Sequence, residues 1–248
     1  MGRGLDKDIF SPEDHLEFRQ RLQEQVEALR PIIAAPGFSS GPASLGAEIE
    51  YYLVGQDKLP VAKNLELLKA INNPLFTEEL NQYNIELNLS PVQARGKPFS
   101  KMQREIETSL DNVSEHTQDL GAELVSIGIL PSLSEKHLDP SFMTDLPRYR
   151  ALSNQLRSLK GKPFEVNING LDSLKANSNE VTLEGANTSL QVHLKVPADR
   201  FADMYNAAQL TTPLVMALAA NSPLFLGRRL WQETRIALFK QSTDNPFP

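Results

Sequence analysis

Apolar residues recur at helical spacing from Leu16 through Phe18, Leu22, Val26 and Leu29 to Ile33, a pattern that predicts a helix for the first arm of the chain. Ser11-Pro12-Glu13-Asp14 supplies its start. The serine caps free amides, the proline suits the first turn, and the carboxylates sit at the positive end of the helix dipole. Pro36-Gly37-Phe38-Ser39-Ser40-Gly41-Pro42 ends the arm as a loop. Over residues 45–54 the period falls to two, which predicts a strand with Leu45, Ala47, Ile49, Tyr51 and Leu53 on one face. Gly46, Glu48, Glu50, Tyr52 and Val54 take the other. A second alternating run sets Ile85 and Leu87 against Asn84, Glu86 and Asn88, and a third, over 189–196, sets Leu190, Val192 and Leu194 against Gln191, His193 and Lys195.

The remaining pattern predicts helices over 61–71, from a Ser100 cap to Gly121, over 148–159, from Pro197 towards Asn221 with a kink at Thr212-Pro213, and over 228–239. Strands are expected over 124–130, 165–171 and 180–184, with a loop over 131–147. Strands separated by helices of unequal length point to an α+β fold, a mostly antiparallel sheet with helices covering one face.

Composition narrows the chemistry. The chain has 248 residues and no cysteine, so thiol nucleophiles, thiolate zinc sites and iron–sulfur clusters are excluded. Any metal is held by oxygen or imidazole, which favours hard cations. With 25 Lys+Arg against 31 Asp+Glu, the formal charge of −6 gives no footprint for nucleic acid or an anionic membrane. No apolar run reaches the ~18 residues of a membrane-spanning helix, and the start lacks the apolar core of a signal peptide. A cytoplasmic protein acting on small molecules is expected. Phosphate-binding glycine loops, G-x-S-x-G and H-E-x-x-H are absent from the sequence.

The informative feature is what three strands carry on their polar faces: Glu48 and Glu50, Glu86 and Asn88, Gln191 and His193. Residues two apart in a strand lie about 6.5–7 Å apart on one side, a spacing that suits neighbouring divalent ions. Three glutamates on adjacent strands can make a platform for Mg²⁺ and nucleotide, with His193 as an imidazole ligand. The same alternation equally describes the wet face of a half-buried sheet. Arg235, four residues after Trp231 on the last predicted helix, can grip a substrate carboxylate through two parallel hydrogen bonds or be a surface residue of a charged helix. Tyr149 and Arg150 either face a pocket or cap their helix. His15, His116 and His137 lie in polar, exposed surroundings and are given no role.

Gly46-Ala47-Glu48-Ile49-Glu50-Tyr51, Glu86 in a later strand, Arg148-Tyr149-Arg150-Ala151-Leu152, Thr188-Ser189-Leu190-Gln191-Val192-His193, and Ala219-Ala220-Asn221-Ser222-Pro223 followed by Arg235 form an ordered set. It resembles the glutamate–cysteine ligase superfamily, in the branch of bacterial carboxylate–amine ligases and plant-type glutamate–cysteine ligases. The resemblance implies a glutamine-synthetase-like curved sheet whose concave face holds Mg²⁺ and ATP. Beyond the helical arm and loop over 1–44, it implies the N-terminal portion of a ligase catalytic domain over 45–248, its sheet incomplete at the C-terminal end. The implied reaction phosphorylates the γ-carboxylate of glutamate from ATP, after which an amine, cysteine in the type enzymes, displaces phosphate to form an amide. Glu48, Glu50, Glu86 and His193 fall where the family has metal ligands. Gln191 lies beside them, and Arg235 falls at a catalytic, substrate-binding arginine; Gln191, Tyr149 and Arg150 are the further candidate substrate-binding residues. A non-catalytic metal- or amino-acid-binding relative and a metal-dependent amide hydrolase are the competing readings.

Overall fold

The computed structural model describes residues 4–243. Its first half runs α1 (Pro12–Ala34), β1 (Ser44–Gly55), α2 (Asn64–Ile71), β2 (Phe76–Glu78), β3 (Asn84–Asn88), β4 (Val92–Gln93), α3 (Pro98–Asp119) and β5 (Ala122–Val125). The second half runs α4 (Pro147–Lys160), β6 (Phe164–Asn169), β7 (Ser173–Ser178), β8 (Leu190–Leu194), α5 (Phe201–Ala219), β9 (Leu224–Phe225), β10 (Arg228–Arg229) and α6 (Thr234–Thr243). The mixed order and antiparallel pairing make the fold α+β.

Long β1 organises the main sheet. One edge pairs with β3 and then β4, and the other with β8 and then β5; β2 extends the sheet beyond β3. The alternation read in the sequence is the alternation observed. Ala47, Ile49, Tyr51 and Leu53 pack with Ile85, Leu87, Leu67 of α2 and Met102 and Val113 of α3 in one core.

The expectation that helices cover one face alone needs correction. Tyr52 and Val54 lie on the same face as Glu48 and Glu50, yet they enter a second core with Tyr83, Ile129, Leu183, Phe225, Leu238 and the apolar side of the β6–β7 hairpin. Tyr52 stacks on Tyr83 at 5.8 Å between ring centroids and donates its hydroxyl to the Ala186 carbonyl. At its Gly55 end, β1 is therefore buried on both faces, and the open polar face is confined to its Ser44 end.

Ser11 caps α1 as expected, in a reciprocal capping box with Asp14. Several boundaries move. Helix α3 starts at Pro98 rather than after Ser100, because proline at the first helical position already has the φ the helix needs. Strand β5 stops at Val125, where the chain turns to place the Ile127 and Gly128 carbonyls against Thr188. Residues 181–186 form a 3₁₀ turn instead of a strand. Helix α6 begins at Thr234, because Leu226 and Gly227, at φ +49° and +72°, form the two-residue turn of the β9–β10 hairpin. Trp231 thus lies before the helix that carries Arg235, with its indole donating to the Asn169 carbonyl. His137 is buried rather than exposed, edge-on to Phe142.

Neither α1 nor α5 buries a side chain among the described residues, and every residue of β8 is exposed. No described helix is long and apolar enough to cross a membrane.

Candidate functional site

Register brings the predicted polar residues together. Glu50 stands directly across from Glu86, Glu48 is flanked by Asn88 on β3 and Gln191 on β8, and His193 pairs with Gly46. Each carboxylate is oriented by a neighbour. Glu50 accepts the Ser189 amide at 2.8 Å and the Ser189 hydroxyl at 3.3 Å. Glu86 accepts from Thr77 of β2 at 3.1 Å and from Asn88 at 2.9 Å. The His193 Nε2 lies 2.8 Å from Gln191 Oε1 and 3.6 Å from Glu48 Oε2.

The structure adds Glu79, which follows β2. Oxygens of Glu50, Glu79 and Glu86 lie within 4.8 Å of one another. This crowding is costly. Burial pushes the Glu50 carboxyl up to about 7, helped by the charges of Glu86 and Glu184 and opposed by the Ser189 amide. Burial pushes Glu79 up to about 8, reinforced by Glu50 and Glu86 and weakly opposed by Arg148. Carboxylates held this close need a counter-charge to ionise together. An all-oxygen trio with an imidazole nearby fits a hard divalent cation.

Two cavities meet at Glu48. One, of about 410 Å³, lies between Glu48, Glu79, Glu86, Thr77 and Arg148. The other, of about 320 Å³, lies between Glu48, Asn88, His193 and Lys195. Gly4 and Leu5 also line the first cavity, so the N-terminal segment lies across the groove. It is fastened by Asp8, whose carboxylate meets Arg150 Nε at 2.6 Å and whose carbonyl accepts from Asn154.

The other predicted site residues are engaged inside the protein. Arg150 is held by Asp8 and Asp145. Tyr149 is buried with Leu80 and Val181 and donates to the Glu78 carbonyl at 3.0 Å. Its neighbour Arg148, absent from the predicted set, is the basic residue that lines the larger of the two cavities, 3.2 Å from a Glu78 carboxylate oxygen. Arg235 gives Nε and Nη2 to Glu233, at 2.5 and 2.7 Å, and Nη1 to the Thr188 carbonyl at 2.6 Å. Ser189, next to Thr188, orients Glu50, so Arg235 braces the strand end that holds a groove carboxylate. A Cβ at Gly128 would stand 2.8 Å from Arg235 Nε and 2.4 Å from Asn221 Oδ1, so this close approach requires glycine.

Alternation points to Glu48, Glu50, Glu86, Gln191 and His193 as one face. Glu79 and Arg148 carry no comparable signal, since one follows a three-residue strand and the other starts a helix whose position depends on long-range packing.

Residues 44–248 match the sequence model of a protein family described as glutamate-cysteine ligase family 2. No curated protein matches the chain.

Proposed function

The chain belongs to the glutamate-cysteine ligase family 2, and from that premise we propose that its acidic groove is the active site of an ATP- and Mg²⁺-dependent ligase forming a γ-glutamyl amide. The observation that carries the reading is the trio of Glu50, Glu79 and Glu86 with oxygens within 4.8 Å. Glu48 and His193 stand beside it on the same face. In phosphoryl transfer the protein chiefly positions reactants and neutralises charge. Glu48, Glu50, Glu79, Glu86 and His193 would hold Mg²⁺, and Mg²⁺ would supply charge neutralisation at the nucleotide phosphates.

In this reading the γ-phosphoryl group of ATP passes to the γ-carboxylate of glutamate, releasing ADP. The amine nitrogen then attacks the acyl carbon, phosphate leaves, and the amide forms. The two cavities that meet at Glu48 give nucleotide and amino acid separate places on either side of the carboxylates. Gln191 lies beside them, and Arg148 offers a cation at the rim. Arg235 would receive the substrate carboxylate by exchanging it for Glu233, and Arg150 an anionic group by exchanging it for Asp8. Tyr149 would act through its neighbour Arg148, from beneath the groove. The reading takes the sheet as glutamine-synthetase-like, residues 1–44 as an arm and 45–248 as ligase domain, and places the work in the cytoplasm.

The test is to incubate the protein with ATP, Mg²⁺, L-glutamate and a panel of amines that includes cysteine. Amine-dependent release of ADP and phosphate supports it. Nucleotide binding without turnover favours the non-catalytic relative, and amide cleavage without nucleotide favours the hydrolase.

A further inference from the structure

Strand β7 keeps one edge open. Among the described residues it pairs with β6 alone, in a register that sets Lys175 across from Asn167 and Asn177 across from Glu165. The Asn167 amide is given to Gln241 Oε1 at 2.6 Å and its carbonyl accepts Gln241 Nε2 at 3.2 Å, so both point at α6 and away from β7. The Asn169 carbonyl, two residues on, likewise faces Trp231. In an antiparallel ladder the members of such a pair turn their backbone groups away from each other. The amides and carbonyls of Lys175 and Asn177 therefore point off the free edge, two sets about 6.5–7 Å apart. Both residues are exposed, and neither backbone makes a hydrogen bond across that edge among the described residues.

The space beside this strand is shaped. Just before β7 the Asp172 amide is given to the Arg229 carbonyl at 2.8 Å, so β10 borders the start of the edge. Beyond it lies a cavity of about 930 Å³, larger than either groove cavity, lined by residues 175–178 of β7 and by Leu226 of the turn leading into β10. Leu138, Leu183 and Leu226 give it an apolar floor that is continuous with the second core. Its rim sets Glu135, Asp139 and Glu165 against Lys136 and Lys175, a net negative charge. Two evenly spaced backbone sets are matched by another extended backbone, whose groups repeat at the same interval. Alternate residues of that backbone would meet the floor, and the acidic rim favours cations among the others.

We propose that the free edge of β7 binds an extended segment of a partner protein as a third strand, the segment carrying apolar residues at alternate positions and Lys or Arg between them. A second copy of the chain fits less well. Residues of the 135–139 segment bound the same cavity as the edge, which leaves a slot for one strand, whereas edge-to-edge pairing of two whole copies needs an open flank. The cavity shares no lining residue with the two groove cavities, so the proposal stands apart from the ligase reading.

The test titrates the capped peptide acetyl-Ser-Leu-Lys-Val-Lys-Leu-Ser-amide into the full chain by calorimetry and records amide hydrogen exchange with and without it. Bound peptide should slow exchange of the Lys175 and Asn177 amides by about tenfold or more and leave that of Ile49 unchanged. Two analogues, N-methylated at one or the other alternate set of residues, separate strand addition from apolar contact. Methylating the set that faces β7 should weaken binding about tenfold or more, and methylating the other set should not. Asn177→Pro removes an outward amide and no ladder bond to β6, so it should weaken binding while melting close to wild type. If it melts lower, Leu226→Asn, which suits the positive φ of that turn and removes apolar floor, carries the same comparison. No binding of the peptide, equal loss with both analogues, wild-type affinity in the variant, or protection of Lys175 and Asn177 by self-association alone would overturn the proposal.

Discussion

Glu233 accepts both Nε and Nη2 of the Arg235 guanidinium, and the pair is largely withdrawn from water, its side chains 9% and 19% exposed. Glu233 is further fixed by the Ser222 hydroxyl at 2.6 Å. A lysine at position 235 keeps the charge but cannot make two parallel bonds. Arg235→Lys should raise the glutamate requirement about tenfold, on the order of 1.4 kcal/mol, and the ATP requirement much less. Steady-state kinetics with each substrate varied in turn checks this. Equal effects on both would assign Arg235 to bracing Thr188 and Glu50 alone.

Glu86 and His193 separate metal binding from folding. Glu86→Gln keeps the shape and the contacts to Thr77 and Asn88 but removes the charge. It should weaken Mg²⁺–nucleotide binding by about tenfold or more with an unchanged circular dichroism spectrum. His193 is half exposed, so His193→Ala should shift stability by no more than about 0.5 kcal/mol while also weakening that binding. Calorimetric titration with Mg²⁺ and a non-hydrolysable nucleotide decides. Wild-type affinity in both variants would reduce the polar face to an ordinary solvated one.

Metal-free protein should lose stability as pH rises. Glu50, Glu79 and Glu184 have carboxyls pushed up to about 7, 8 and 7 by burial and by one another. Between the ordinary carboxylate range and these values the folded state holds more protons than the unfolded state, so stability falls with increasing pH. Each tenfold difference in proton affinity between the two states is worth about 1.4 kcal/mol, and 1 kcal/mol moves the melting temperature by about 2–4 °C in a domain of this size. Melting in chelator should therefore drop by several degrees from pH 5.5 to pH 8, and divalent cation should flatten the slope. A melting temperature that rises over that interval would contradict the geometry.

The segment over the groove offers a fourth test. Asp8 ties it to Arg150, and that contact holds the Asp8 carboxyl below its usual range. Asp8→Asn should loosen residues 4–8, giving faster hydrogen exchange there and tighter nucleotide binding. Unchanged exchange and affinity would mean that other contacts hold the segment.

How far the sequence alone leads depends on the range of the interactions involved. Strands β1, β3 and β8 are legible because alternation is local, and once they pair, their polar residues share a face. That the face is shared follows from pattern; that it holds metal is what the variants above decide. The second core is hidden from such a reading because Tyr52 and Val54 sit in polar-face register and are buried only by segments far along the chain. Local pattern suggests a strand at Glu184, where the chain forms a 3₁₀ turn instead. That turn is held where Gly185 lets Asn81 approach so closely that an added Cβ would lie 2.6 Å from its amide nitrogen. Strand β10 falls in a stretch that reads as helix, because two-residue strands are too short to show a period.

Strand β8 has consequences of its own. It presents Gln191 and His193 to the groove, yet among the described residues only β1 pairs with it, and all its residues are exposed. Its hydrogen bonds to β1 alternate, with the Lys195 amide given to Ser44 and the Ser189 carbonyl receiving the Glu50 amide. The amides of Leu190, Val192 and Leu194 therefore point away from the sheet. They should exchange with solvent deuterium far sooner than those of Ile49 or Leu53 at the sheet's centre. One wall of the groove, carrying Gln191 and His193, is thus a free sheet edge fastened on one side, while Glu50 and Glu86 sit on strands paired on both sides.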